Sequence, residues 1–193
     1  MEPKDVSPIL WLNFGGNLLT PCISSSQFPH LEMIQPPALV PHILGFTNVL
    51  GNGNCGFRAA AVSMGRSSEE WIQVCQEMIS ELDANPIFKN AKVLENIWGK
   101  SFEMARKTLN HKSGSAPLPF WMTFPAHGFL LAQTYKRPVI LFSKAWPSTF
   151  LPLTSPLPNS NTPNPICLFL LDDLAHIVTF KFKNELWPAP SMD

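Results

Sequence analysis

Charge of either sign is scarce in this chain. Only 15% of its 193 residues are charged, and Lys plus Arg balance Asp plus Glu at 14 each. No net field exists to draw in a nucleic-acid backbone or an anionic membrane, so neither is expected as a partner. Cysteine is equally sparse. Cys22, Cys55, Cys75 and Cys167 lie far apart with no C-x-x-C pair, which argues against a zinc site and a dense disulfide frame and favours reduced thiols. No apolar run reaches membrane-spanning length, and Met1 to Asp5 lacks the basic stretch and apolar run of a secretory signal. An intracellular location, cytoplasm or nucleus, is the expectation. There is no internal repeat and no complete G-x-x-x-x-G-K-S/T phosphate loop, and the sequence calls for no metal or cofactor.

Proline, by contrast, is abundant at 20 residues, about twice the usual share. Pro3, Pro8, Pro21, Pro29, Pro36, Pro37 and Pro41, with the triple serine Ser24 to Ser26, mark residues 1–44 as a leader with little regular structure. Its Trp11, Phe14, Leu18, Leu19 and Phe28 are too apolar for a freely solvated linker, so part of it is expected to pack against the domain. One domain with a proper core fits this length. It is expected over residues 45–188, with a short tail over 189–193.

Helical spacing of Phe57, Ala60, Ala61 and Met64 predicts a first helix from Cys55 to Met64, stopped by Gly65. Ser67 three residues ahead of Glu70 forms a capping box for a second helix. Its apolar stripe is Trp71, Ile72, Cys75, Ile79 and Leu82, and Asn85-Pro86 ends it. More helical sequence lies between Phe88 and Leu109, broken near Gly99. Another helix is predicted over Pro125 to Tyr135, with Thr123 near its cap and Phe129, Leu130 and Ala132 inward. Strand signals come late. Pro138 to Ser143 and Ile166 to Leu171 are continuous apolar runs, as strands covered on both faces require. His176 to Phe182 alternates, setting His176, Val178, Phe180 and Phe182 on a packed face, and Asp172-Asp173 predicts a hairpin turn before it. Residues 146–165, rich in Pro, Ser and Asn, read as a loop. The fold class is α+β, with a small central sheet of late strands flanked by helices.

Chemistry concentrates in Gly51-Asn52-Gly53-Asn54-Cys55-Gly56-Phe57-Arg58. Glycines on both sides of Cys55 permit backbone angles closed to other residues and leave room for a substrate. A thiol at the start of a helix meets unpaired N–H groups and the positive end of the dipole, which favour the reactive thiolate. The alternative is a small buried hydrophobe, the ordinary fate of a lone cysteine. A nucleophile also needs an imidazole from elsewhere in the chain. His30 and His42 lie in the leader, His111 in a polar loop, and His127 in a first helical turn where an exposed side chain is the default. His176 instead opens an alternating strand, at an end where a helix start can meet it, although a core-edge histidine bonded to a carbonyl is the competing reading. Cysteine first and histidine on a late strand is the papain-like order, with backbone N–H groups of Gly53 and Cys55 available as an oxyanion hole. Gly51, Gly53 and Gly56 also match the dinucleotide fingerprint G-x-G-x-x-G, but Glu69, Glu70 and Glu77, at the distance of its acidic partner, fall on a predicted helix.

The run Asn52 to Ala59 resembles the D-G-N-C-x-F/Y-R-A signature of the ovarian tumour (OTU) superfamily of cysteine proteases, most of whose active members are deubiquitinases. Trp121-Met122-Thr123-Phe124-Pro125, followed by Gly128, Leu131 and Ala132, resembles the W-M-T-x-P block of OTU domains in fungal and plant genes and mobile elements. His176-Ile177-Val178 is similar to the family's histidine block. The resemblance implies a papain-like fold, Cys55 as nucleophile, His176 as general base, and ubiquitin or a ubiquitin-like protein as substrate. The family's motif aspartate, which supports the oxyanion region or the triad, falls at Asn52. An amide still donates and accepts hydrogen bonds, and Cys-His-Asn sites exist. Restoring the acid as Asn52→Asp is therefore expected to speed turnover. The alternative function is a catalytically weak or inactive OTU module, derived from a mobile element or retained to bind ubiquitin.

Overall fold

A computed structural model describes residues 43–90, 92, 102–112, 114–144, 146–154, 164–171 and 175–182. The leader through residue 42 with Cys22, His30 and His42, the break near Gly99, the Asp172-Asp173 turn and the 189–193 tail lie outside the described residues.

The described strands form one five-stranded mixed sheet. β1 (Ile43–Thr47) pairs antiparallel with β5 (His176–Phe182), which pairs antiparallel with β4 (Ile166–Leu171). β4 runs parallel to β2 (Val139–Phe142), and β3 (Ser148–Phe150) closes the order β1-β5-β4-β2-β3 as an antiparallel edge. The three late strands stand where their apolar patterning put them. Two more strands join them. β1 starts inside the expected leader, and β3 sits in the segment read as loop. β1 contains Gly45, next to a register shift against β5, and β3 spans 3 residues; neither is long or regular enough to show a period.

Helices α1 (Cys55–Ser63), α2 (Trp71–Ala84), α3 (Phe102–Leu109) and α4 (Ala126–Tyr135) follow the predicted punctuation. Gly65 adopts φ 82° after α1, a left-handed geometry that suits a glycine stop. Ser67 Oγ accepts from the Glu69 amide at 3.2 Å and the Ser67 amide donates to Glu70 at 2.7 Å, so the capping box is present. It caps a 3-10 turn (Ser68–Glu70) that runs directly into α2. The buried stripe of α2 is Trp71, Val74, Cys75, Met78 and Leu82. Ile72 and Ile79, expected on it, only flank the core. In α4 Leu130, Leu131 and Ala132 are sealed, and Phe129 lies edge-on to Phe150 of β3. A Cβ on Gly128 would come within 2.5 Å of that Phe150 ring, so α4 can lie this close to the sheet only with glycine there. Among the described residues no helix is long and apolar enough to cross a membrane.

Alternation along the strands divides the interior in two. Val139, Leu141, Ile166, Leu168 and Ile177 join α1, α2 and α4 in one core. Ile140, Phe142, Phe169, Val178 and Phe180 form a second cluster on the opposite face. The face of β5 expected to be packed is buried at Val178 and Phe180; its other face is covered as well, and there Ile177 meets the helices.

Candidate active site

The loop that delivers Cys55 to the start of α1 is stitched to the segment 114–122. The Ala116 amide donates to the Asn52 carbonyl at 2.8 Å, and Trp121 Nε1 donates to the Ala116 carbonyl at 2.8 Å. Asn52 Nδ2 donates to the Gly114 carbonyl, and Asn54 Nδ2 reaches the same oxygen at 3.4 Å. Gly53, at φ 84°, lies so close to Ala116 and Trp121 that a Cβ there would overlap the Ala116 carbonyl oxygen. One residue into α1, a Cβ on Gly56 would lie 2.7 Å from Met122 Cβ and 3.1 Å from Ile177 Cδ1. The two motif blocks, Asn52 to Ala59 and Trp121 to Pro125, are thus adjacent in space, and small residues make the fit possible.

Cys55 is 6% exposed. Burial pushes its thiol above the usual value, and backbone N–H groups of Ile177, Gly56 and Cys55 itself pull it only part of the way back. The thiolate expected from the helix terminus is therefore not the resting form: desolvation outweighs the dipole and the amides. The Ile177 amide is the informative contact. Gly56, the residue after Cys55, lies against the Ile177 side chain, which sets the start of α1 beside the residue that follows His176 along β5.

His176 is half-buried, and its Nε2 lies 2.7 Å from Asn48 Oδ1. An amide oxygen only accepts, so this bond assigns the proton to Nε2 and leaves the lone pair on Nδ1. Nδ1 and Cε1 face Gly51, where a Cβ would stand 3.5 Å from each. Burial holds the imidazole below its ordinary pKa, so thiol and imidazole are both neutral at rest. Among the described residues they are not hydrogen-bonded to each other. Catalytic hydrogen bonds in unliganded sites are often this loose. Topology explains Asn48: Thr47 pairs with Thr179, so the chain leaving β1 runs past the first residue of β5.

The structure thus brings Cys55, His176 and Asn48 to one place. Asn48 carries no local signal, because only the β1–β5 pairing, itself unread in the sequence, connects it to His176. Asn52 takes up a different position. Its oxygen accepts from the Asn54 amide at 3.3 Å and its nitrogen holds Gly114, with no described bond to His176. His127 overturns its default. It is 2% exposed, its Nδ1 accepts from the Thr123 amide at 2.9 Å, and its ring meets Phe57 edge-on at 5.6 Å. The helical turn carrying it faces α1 instead of solvent. His111 reaches the Ser115 carbonyl at 3.2 Å and packs on Phe120 at 4.4 Å. Among the described residues no group of three His, Cys, Asp or Glu could hold a metal ion.

Compared by sequence, the chain matches no family model and no curated protein. Compared by structure, it is similar to the viral OTU domain protease of Dera Ghazi Khan virus, with a TM-score of 0.50 and 17% identity over 72% of this chain and 81% of that one. It is likewise similar to the viral OTU domain protease of Qalyub virus, with a TM-score of 0.50 and 14% identity over 72% of this chain and 83% of that one. The chain therefore carries an OTU-like fold, the papain-like α+β architecture in which a thiol at a helix start faces a histidine at a strand start.

Proposed function

We propose that this protein is a thiol-dependent isopeptidase that releases ubiquitin or a ubiquitin-like modifier from lysine side chains. One observation carries the reading: the Nε2 of His176 is bound to Asn48 at 2.7 Å, at the start of a strand whose next residue, Ile177, lies against Gly56, the neighbour of Cys55. Nδ1 takes the thiol proton as Sγ attacks the isopeptide carbonyl, forming a C–S bond and a tetrahedral oxyanion held by the Gly53 and Cys55 amides. Collapse breaks the C–N bond, and the imidazolium returns its proton to the departing lysine amine. Water, deprotonated by the same Nδ1, then hydrolyses the thioester to a carboxylate and restores the thiol. Asn48 touches no reacting atom; it fixes the tautomer and orientation of His176. The setting is intracellular, where Cys55 stays reduced.

Incubation with ubiquitin bearing a C-terminal thiol-reactive warhead tests this. The expected result is a covalent adduct, absent in Cys55→Ala. A folded protein that forms no adduct overturns the isopeptidase reading for ubiquitin. The second reading, a weak or inactive binding module, is favoured by the closed position of Cys55 and by an amide in place of a carboxylate at His176. It predicts saturable, non-covalent ubiquitin binding with no adduct.

A further inference from the structure

The sheet is buried on both faces, yet the described elements account for only one of the two layers that cover it. The buried apolar side chains described in α1, α2, α3 and α4 belong to the core around Val139, Leu168 and Ile177. The opposite cluster contains, among the described residues, strand residues alone. Its members are nevertheless sealed: Phe169 is 0% exposed, Val178 and Ile43 1%. Neighbours on one face of a sheet shield each other sideways but not from above, so a second layer must lie over them.

We propose that residues 1–42 form that layer, so that the leader is a structural part of the domain. Three observations select it. The segment runs straight into Ile43, which is itself a member of the cluster. It carries Trp11, Phe14, Leu18, Leu19 and Phe28, enough apolar surface to meet a face built from Phe142, Phe169 and Phe180. From Val6 to His42 the only Asp, Glu, Lys or Arg is Glu32, so the segment can be buried with almost no charge desolvated. The other stretches that leave the sheet are poorer candidates. Residues 155–163 hold a single large apolar side chain, Leu157, and residues 183–193 offer only Leu186, Trp187 and Met192 among Lys183, Glu185 and Asp193. Proline-rich sequence suits the task, because an extended chain can lie across a flat face without forming a helix or strand of its own. The proposal is independent of the catalytic reading.

The test uses the full chain. A photo-crosslinking amino acid replaces Phe182, which is half-buried at the margin of the cluster, and the products are mapped by mass spectrometry. Cross-links to peptides within 1–42 are the expected result. Cross-links to 183–193, or to a second copy of the chain, overturn the proposal. Hydrogen exchange of the unsubstituted protein provides a second measurement that needs no variant. Amides between residues 6 and 42 are expected to exchange at least tenfold more slowly than in the isolated leader peptide. Exchange at the free-peptide rate, with β4 and β5 still protected, overturns it. Replacing Trp11, Leu18 and Leu19 together by Ser is expected to raise binding of a hydrophobic dye several-fold, and unchanged dye binding counts against the proposal.

Discussion

The polar cluster between α2 and α4 and the one at the start of β5 are built in opposite ways. In the first, Glu77 accepts from Tyr135 Oη, from Arg66 at 2.8 Å and from Gln73 at 3.1 Å, while the Arg66 guanidinium lies 5.3 Å over the Tyr135 ring. Buried Gln133 donates to Glu81 at 3.0 Å and Thr154 Oγ1 at 2.7 Å, and it accepts from the amides of Leu153 and Thr154. Burial alone would raise the Glu77 pKa, but these hydrogen bonds hold it below the usual range. Glu77 is paired with Arg66 and Glu81 with Lys136, and Glu77, Glu81 and Gln133 are each held more than once. At β5 the partners are neutral, Asn48 is the one polar side chain bonded to His176 among the described residues, and burial pushes thiol up and imidazole down. A saturated cluster fixes helices in place; an unsaturated neutral pair stores the capacity to pass a proton.

The sharpest way to break this contrast is to delete the reacting groups. Cys55→Ala and His176→Ala are each expected to lower turnover of a ubiquitin–lysine conjugate by about 10³-fold or more, with the thermal midpoint changed by no more than a few degrees. A large loss of stability with retained turnover would reverse the roles assigned to the two clusters. Asn48→Ala comes next: kcat falls by about 10²-fold at unchanged KM, because the imidazole loses its tautomer and not its substrate.

Asn48→Asp sharpens the same point through pH. In the native protein the acid limb of kcat/KM is expected below the ordinary histidine value of 6.5 and the alkaline limb above the ordinary cysteine value of 9.0, since His176 is shifted down and Cys55 up. A carboxylate at 48 raises the imidazole pKa, so the acid limb moves upward. The sign for stability follows from the same shift. His176 binds a proton more weakly when folded, so its contribution is full above pH 6.5 and is lost as pH falls through the lowered folded value.

Asn52→Asp is expected to slow turnover by about tenfold, since small displacements of a nucleophile cost this much or more. The structure here reverses the gain expected from the sequence: a carboxylate at 52 would turn an oxygen toward the Gly114 carbonyl that the amide now holds. Faster turnover would show that the loop tolerates that loss. The smallest catalytic effect is expected in the saturated cluster. Tyr135→Phe should lower stability by about 1–3 kcal/mol in denaturant unfolding and leave the adduct rate unchanged.

Much of this was legible in the sequence because it is local. Cys55 at a glycine-flanked helix start, the Ser67–Glu70 box and the apolar runs of β2 and β4 each announce themselves within a few residues. The position of His176 at the start of β5 was legible from alternation, and so was the packed face of Val178 and Phe180; the cover on the opposite face was not, because Thr179 and Lys181 there read as a polar side. Asn48 was not legible. Its role depends on an antiparallel pairing between strands more than a hundred residues apart, and its own surroundings are those of any polar turn. His127 was misread for the complementary reason: a first helical turn usually faces solvent, and only the packing of α4 against Phe57 removes it from water.

Ile177 ties the chemistry to the assembly of the sheet. Its amide is directed at the sulfur while its side chain closes the space beside Gly56 and Met122. Sliding β5 by one residue would exchange every side chain between its two faces, removing that methyl group from the helices and shifting the amide that reaches Cys55. A chain folded in the wrong register would therefore lose the fit between the start of α1 and β5 that brings Cys55 beside the first residues of that strand.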